Sequence, residues 1–277
     1  MARRSVKLVL AAIALAAVGG GAWWWYESQK ACCAFPPEPV KPPPAIEIPD
    51  PKPMGLMTSL PLYWAAGADM QSIASGRAEV PWQRDVLEAR AIITPVDTLS
   101  PIAGLMPEDE EVDPLADLSR LAIIQPRGLS PSDNVALDDW VRQGGRLLLV
   151  LDPMLTGEYP FALGDPRRPV DAALIPPVVA RWGLRMQVDE EGAPVREIPL
   201  GEGSFTARLA GRLSPLDEDS TCSVYSEGVI AFCKVGEGRV TLVADAATFE
   251  GLAASPEKEI GISVLMHFAF EDEPGLW

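Results

Sequence analysis

The chain of 277 residues holds a single histidine and four cysteines, and no metal-ligand spacing is built from them. Structural zinc and iron–sulfur sites draw on clustered Cys and His, so metal-rich classes are excluded. A Gly-rich phosphate loop is also missing, because the one glycine triplet, Gly19-Gly20-Gly21, lies inside an apolar N-terminal run. There is no Gly-x-Ser-x-Gly elbow. The turns after the apolar runs read Leu60-Pro61, Gln125-Pro126, Asp152-Pro153 and Asp245-Ala246, and none offers a cysteine nucleophile. His267 sits among Val264, Leu265, Phe268 and Phe270, the setting of a packed helix residue rather than a base. No cofactor and no metal is expected. Bases are scarce too: 23 Lys and Arg face 39 Asp and Glu, a net charge of −16, which repels phosphate backbones and excludes nucleic acid as a partner.

What is present begins with an apolar N-terminus. Arg3, Arg4 and Lys7 form a basic tail over residues 1–7, and residues 8–26 are 19 residues without a charge, closing on Trp23-Trp24-Trp25-Tyr26. A helix of that length spans about 28 Å, and aromatic rings favour the membrane–water interface. The basic flank predicts a cytoplasmic N-terminus and an exported remainder, hence a single-pass protein of a bacterial inner membrane with its C-terminal domain in the periplasm. Two rival readings are a cleaved signal peptide, with Gly20-Gly21-Ala22 as the cleavage site, and a lipoprotein modified at Cys32-Cys33. Nine prolines between 36 and 53 give residues 27–53 the character of a stiff stalk, because proline fixes φ and removes a backbone donor. A ligand for a Pro-binding partner is the alternative.

Residues 54–270 alternate strands and helices, and residues 271–277 form an acidic tail. Apolar runs at 54–60, 91–96, 121–124, 146–151, 184–188 and 239–244 read as strands, and 81–90, 130–143, 171–182 and 260–270 as helices. Ser130 is a good N-cap, Pro131 suits the first helical position, and Asp133 in the first turn favours the helix dipole. Residues 147–151 are apolar at every position, as in a parallel sheet covered on both faces. Residues 197–235 change to short alternating runs with turn residues, a hairpin subregion. The resulting fold class is α/β, with a mostly parallel sheet, helices on both faces, a β-hairpin insertion and one preceding transmembrane helix.

Two strands share a spelling. Gly145-Arg146, five apolar residues and Asp152 match Gly238-Arg239, five mostly apolar residues and Asp245. In open parallel sheets ligands bind beyond the carboxyl ends of strands, so Thr58, Ser59, Asp152 and Asp245 are the candidate ligand- or partner-binding residues. The alternative for each aspartate is a cap on the following turn.

Residues 129–153, with Ser130-Pro131, Gly144-Gly145-Arg146 and Asp152, and residues 235–249, with Gly236-Glu237-Gly238-Arg239 and Asp245, resemble auxiliary proteins of uncharacterised ABC-type transport systems. That group includes the gliding-motility auxiliary protein and related domains of unknown function. The resemblance implies a flavodoxin-like, class I glutamine amidotransferase-like fold, and a membrane-tethered domain beside an ABC transporter. With one predicted span, any permease or ATPase subunits would be other chains.

Cys222 and Cys233 lie in two short strand-like runs around residues 226–228. A loop at Glu227-Gly228 makes paired positions place them directly opposite, and an exported compartment is oxidising, so a cross-strand disulfide is predicted. That register makes them a hydrogen-bonded pair, the wider spacing, unless a bulge intervenes. Two buried free thiols are the alternative. Acidic clusters at 108–113, 189–191 and 217–219 lack EF-hand spacing and read as solvated loops.

The expected function is a non-enzymatic accessory of an ABC-type transport system that binds a protein partner or ligand. Two alternatives stand beside it: an envelope hydrolase using Asp152 and Asp245 as a carboxylate pair, and an acidic structural scaffold.

Overall fold

A computed structural model describes residues 51–104, 106, 109–218 and 220–271. The chain divides into two units, Met1–Glu47 and Ile48–Trp277, and the described residues belong to the second. Strands β1 (Lys52–Thr58), β2 (Ala91–Pro95), β3 (Arg120–Ile124), β4 (Arg146–Val150), β5 (Leu184–Val188), β6 (Val195–Leu200), β7 (Gly203–Arg208), β8 (Gly211–Pro215), β9 (Cys222–Tyr225), β10 (Ile230–Val235) and β11 (Gly238–Val243) alternate with five α-helices. These are α1 (Met70–Ala74), α2 (Trp82–Glu88), α3 (Pro131–Arg142), α4 (Pro177–Arg181) and α5 (Pro256–Phe270).

Seven strands make one sheet in the order β2-β1-β3-β4-β11-β10-β9. Pairing is parallel from β2 through to β11, and antiparallel from β11 to β10 and β9. The side-chain alternation of a strand splits its residues between two cores. Leu148 and Val150 of β4 join Phe249, Ile262, Leu265 and Phe270 on one face. Leu147 and Leu149 join Leu137, Val141, Val179 and Trp182 on the other. A sheet buried on both faces needs strands that are apolar throughout, which is why β3 and β4 read as unbroken apolar runs.

Local chemistry sets the element ends. Ser130 caps α3: its hydroxyl accepts from the Asp133 amide at 3.0 Å, and Asp133 answers by accepting from the Ser130 amide at 3.1 Å, a reciprocal capping box. The other Asp133 oxygen collects Thr98 Oγ1 and the amides of Leu99 and Ser100. Burial works against its charge, but these donors hold the carboxyl well below the usual range. At the far end of α5, the Arg120 and Arg146 guanidiniums donate to the Phe270 carbonyl, which satisfies a helix-terminal acceptor.

The repeated Gly-Arg spelling is a packing requirement. β11 lies in register beside β4, with Arg239 opposite Arg146, and the turn before it runs against the end of α3. A Cβ on Gly238 would stand 1.9 Å from the Val141 carbonyl oxygen, and one on Gly145 would stand 2.4 Å from the Trp140 ring. Only glycine fits at either place.

Several expectations need correction. The helix expected over 171–182 is confined to Pro177–Arg181, because Pro176 and Pro177 cannot sit inside a helix that starts earlier. β1 begins at Lys52 and so takes in Pro53. The missing amide is tolerated because β1 meets β3 only from Gly55 onward. The flavodoxin-like, amidotransferase-like layer with a preceding membrane helix is also corrected. Among the described residues no helix connects β2 to β3, where Pro101 and Pro114 interrupt the chain. The ribbons β5–β8 and β6–β7 share the cover of the sheet with helices. Among the described residues no helix is long and apolar enough to cross a membrane. The expected anchor at 8–26, most of the stalk, Cys32 and Cys33, and residues 272–277 of the tail lie outside the described residues. The inner-membrane and periplasmic placement and the membrane as partner rested on that anchor segment, and nothing among the described residues supports them.

Cys222 and Cys233 form a disulfide between β9 and β10, with Cα atoms 4.0 Å apart. The register is the expected one, Cys233 opposite Cys222 and Ile230 opposite Tyr225. The hydrogen-bond phase is not: Lys234 donates its amide to the Thr221 carbonyl at 3.3 Å, which places the cysteines at a narrow, non-hydrogen-bonded pair. The connection is a helical turn, Ser226–Gly228, rather than a two-residue loop, and that shifts the phase. Replacing both cysteines by alanine lowers stability by about 2–3 kcal/mol, the loop-closure entropy returned to the unfolded chain, as measured by denaturant unfolding.

Candidate active site

Extending the β4–β11 register by two residues sets Asp152 beside Asp245 at the carboxyl edge of the sheet. Both are buried, at 0% and 2% exposure, and Glu250 joins them at 3%. Each aspartate spends its oxygens on backbone amides. Asp152 Oδ1 accepts from Met154 at 2.7 Å and Oδ2 from Ala246 at 3.0 Å. Asp245 Oδ2 accepts from Arg208 at 2.8 Å and Oδ1 from Ala247 at 2.9 Å. These are the caps that the turns require. They do not neutralise the charges.

The electrostatics of the group follow from that shortage of cations. Burial pushes the Asp152 carboxyl up to about 6, against the pull of its two amides and with the Glu250 charge adding to the rise. Burial and the neighbouring Asp152 raise Asp245 well above the ordinary value. Like charges side by side titrate as a unit, so both carboxyls keep their protons to higher pH than a free aspartate does. Burial also lowers the Lys258 ammonium, whose Nζ donates to the Glu250 carbonyl at 2.7 Å.

Two residues that sequence reasoning passed over organise this edge. Gln125 follows β3 with φ +46° and no exposed surface. Its side chain accepts from the Asp152 amide and donates to the carbonyls of Asp152 and Val170. A buried non-glycine residue at positive φ is a strained position held by its partners. Glu250 accepts from the amides of Thr156 and Gly157 and from the hydroxyls of Thr156 and Tyr159. The apolar run ending at Gln125-Pro126 was a signal for a turn, but nothing local marks Gln125 as a clamp or Glu250 as a site residue.

Of the four residues expected at the edge, three are linked. Ser59 donates to the Gln125 carbonyl and accepts the Val170 amide, and Gln125 carries the connection to Asp152. Thr58 is not part of it, because its hydroxyl turns back to accept the Leu60 amide. A groove of about 740 Å³ runs along α3 and is lined by Ser100, Asp113, Trp140 and Gln143, apart from the carboxylates. Among the described residues no group of three or more His, Cys, Asp and Glu side chains is placed to hold a metal ion. Asp189 of the second acidic cluster pairs with Arg196 and Arg212.

Fold and site define an open-sheet α/β domain with a buried carboxylate cluster at the carboxyl edge of its parallel strands. No family model matches the chain, and no curated protein is similar to it. Among solved structures it is similar to an exo-beta-1,4-mannosidase from Opitutaceae bacterium strain TAV5, at 14% identity over 70% of this chain and 31% of that one, TM-score 0.40. It is similar also to a beta-galactosidase from Bacillus circulans sp. alkalophilus, at 14% identity over 78% and 30%, TM-score 0.41. A beta-galactosidase from Rahnella sp. R3 matches at 8% identity over 78% and 30%, TM-score 0.40. The chain spans about a third of the length of these structures.

The resemblance to ABC-type auxiliary proteins is corrected, since no family model matches the chain. The physical reason is that the two blocks which carried it, Gly144-Gly145-Arg146 and Gly236-Glu237-Gly238-Arg239, meet each other at the start of β4 and β11 and serve packing. The transport accessory role, its permease and ATPase partners and the non-enzymatic reading are withdrawn with it.

Proposed function

We propose that this chain is a hydrolase that works through general acid–base catalysis by Asp152 and Asp245. The observation that supports the reading is the Asp152 carboxyl raised to about 6 beside a second buried carboxylate. A proton donor acts best when its pKa lies near the working pH, and two neighbouring carboxyls that titrate as a unit supply a donor and an acceptor. In this reading Asp245, whose carboxyl the Asp152 charge raises further, gives a proton to the leaving group, and Asp152 draws one from the attacking water. The chemistry needs no metal and no nucleophilic side chain.

The test is turnover of a panel of chromogenic glycosides and esters by the full chain and by Asp152→Asn and Asp245→Asn. Each substitution is expected to lower kcat by about 10²–10⁴-fold with the circular dichroism spectrum unchanged. Turnover that survives both substitutions excludes these residues as acid and base.

A further inference from the structure

The connection from β4 to α4 is the longest stretch without helix or strand in the second unit's site region, running from residue 151 to residue 176. A chain of that length with no regular structure inside a compact domain is characteristic of lids and binding loops. Its two legs close on each other: Ala173 donates its amide to the Asp152 carbonyl at 2.8 Å, and Leu155 to the Asp171 carbonyl at 2.9 Å. The tip packs on itself. Arg168 pairs with Asp171 and donates to the Phe161 carbonyl, while the Arg167 guanidinium lies 4.5 Å from the Phe161 ring centre. This is the build of an Ω-loop.

The loop owes little of its place to apolar burial. Between residues 153 and 175 only Pro169 is buried; Leu155 and Tyr159 are half-buried, and Leu163 and Leu174 are 80% and 65% exposed. Polar contacts to the body hold it instead, and they converge on few residues. Glu250 takes four donors from its first leg, at 3.2 and 2.8 Å from Thr156, 2.5 Å from Gly157 and 3.2 Å from Tyr159. Ser59, Gln125 and Arg127 hold the second leg at Val170 and Arg168. Segments with few buried apolar contacts are the ones that open at low free-energy cost.

We propose that residues 153–172 form a lid over the Asp152–Asp245 pair, and that Glu250 is the latch that keeps it shut. The buried carboxylates touch no solvent while the lid is closed, so substrate reaches them only after the four Glu250 contacts release. What this says about substrate access rests on the hydrolase reading; the movement itself does not.

Hydrogen exchange and carboxyl labelling test it on the full chain. In Glu250→Gln one acceptor oxygen becomes an amide donor facing other donors. Amides of 156–170 are expected to exchange at least about tenfold faster, with β3, β4 and β11 unchanged, because only the local opening equilibrium shifts. Carbodiimide with an added amine is expected to label Asp152 and Asp245 in the variant and not in the parent. Thr156→Val and Tyr159→Phe each remove one contact and are expected to give smaller increases confined to the same segment; they carry the test if Glu250→Gln does not fold. Unchanged exchange in 156–170, or a rise shared equally by β4 and β11, overturns the proposal. A lid that opens and labels as described, in a protein that hydrolyses nothing, keeps the lid and removes the hydrolase.

Discussion

The parent protein is expected to lose about 2 kcal/mol of folding stability to Asp152 between pH 4 and pH 7, a slope that Asp152→Asn abolishes. The carboxyl titrates at about 6 in the folded chain, because it is buried beside Glu250, and at ~3.9 when unfolded. Between those values the folded state binds more protons than the unfolded state, so stability falls as pH rises. A shift of about two units corresponds to about 3 kcal/mol in full, of which about 2 kcal/mol falls between pH 4 and pH 7. Asp245, raised for the same reason, adds in the same direction. Asp133 and Asp138 are lowered and act oppositely: their contribution is lost as pH falls below the ordinary carboxylate range. Comparing parent and variant at each pH cancels them. Asparagine keeps one acceptor and presents an amide group to a backbone amide, a constant cost of about 1 kcal/mol. The variant is therefore less stable than the parent at pH 4 and more stable at pH 7, and urea titrations at the two pH values show the crossing.

Gln125→Ala is expected to cost about 2–3 kcal/mol in the same assay. The substitution leaves the buried Asp152 amide unpaired, at about 1–3 kcal/mol, and takes a donor from the Val170 carbonyl, while the Asp152 carbonyl keeps the Ala173 amide. Gln125→Gly loses the same bonds but relieves the backbone at φ +46°, so it is expected to be about 1 kcal/mol more stable than the alanine variant. Glycine is ordinarily the more costly replacement, because it adds freedom to the unfolded chain. The reversed order is thus specific to a strained backbone, and an alanine variant at least as stable as the glycine variant contradicts it.

Much of the element order was legible, for a plain reason. β3 and β4 are buried on both faces, so their apolar runs stand out without any knowledge of their neighbours. Ser130, Pro131 and Asp133 mark the start of α3 because capping is a local interaction. The Cys222–Cys233 register could be counted from the chain, while its hydrogen-bond phase depended on a turn conformation that the residues do not announce. The helix expected over 171–182 failed where hydrophobic spacing was weighed above Pro176 and Pro177.

The site was half legible. The neighbouring placement of Asp152 and Asp245 was legible because equal spacing from two Gly-Arg pairs puts them at equal depth in adjacent strands. Glu250 and Gln125 were not, because a buried polar residue is defined by partners distant in sequence: 94 residues separate Glu250 from Thr156, and 27 separate Gln125 from Asp152. The shared spelling also misled. Glycines demanded by the close approach of β11 to the end of α3 match the pattern of a transporter auxiliary family, but the geometry explains them without reference to function.

The account turns on whether the carboxylates at the ends of β4 and β11 retain a proton that water would have taken. Carbon-detected NMR of the aspartate carboxyl carbons, followed from pH 3 to pH 8 with Asp152→Asn for assignment, reads this directly. A carboxyl resonance with its midpoint near 6 that vanishes in the variant is the predicted result. A midpoint for Asp152 near ~3.9, the value of a free aspartate, contradicts it.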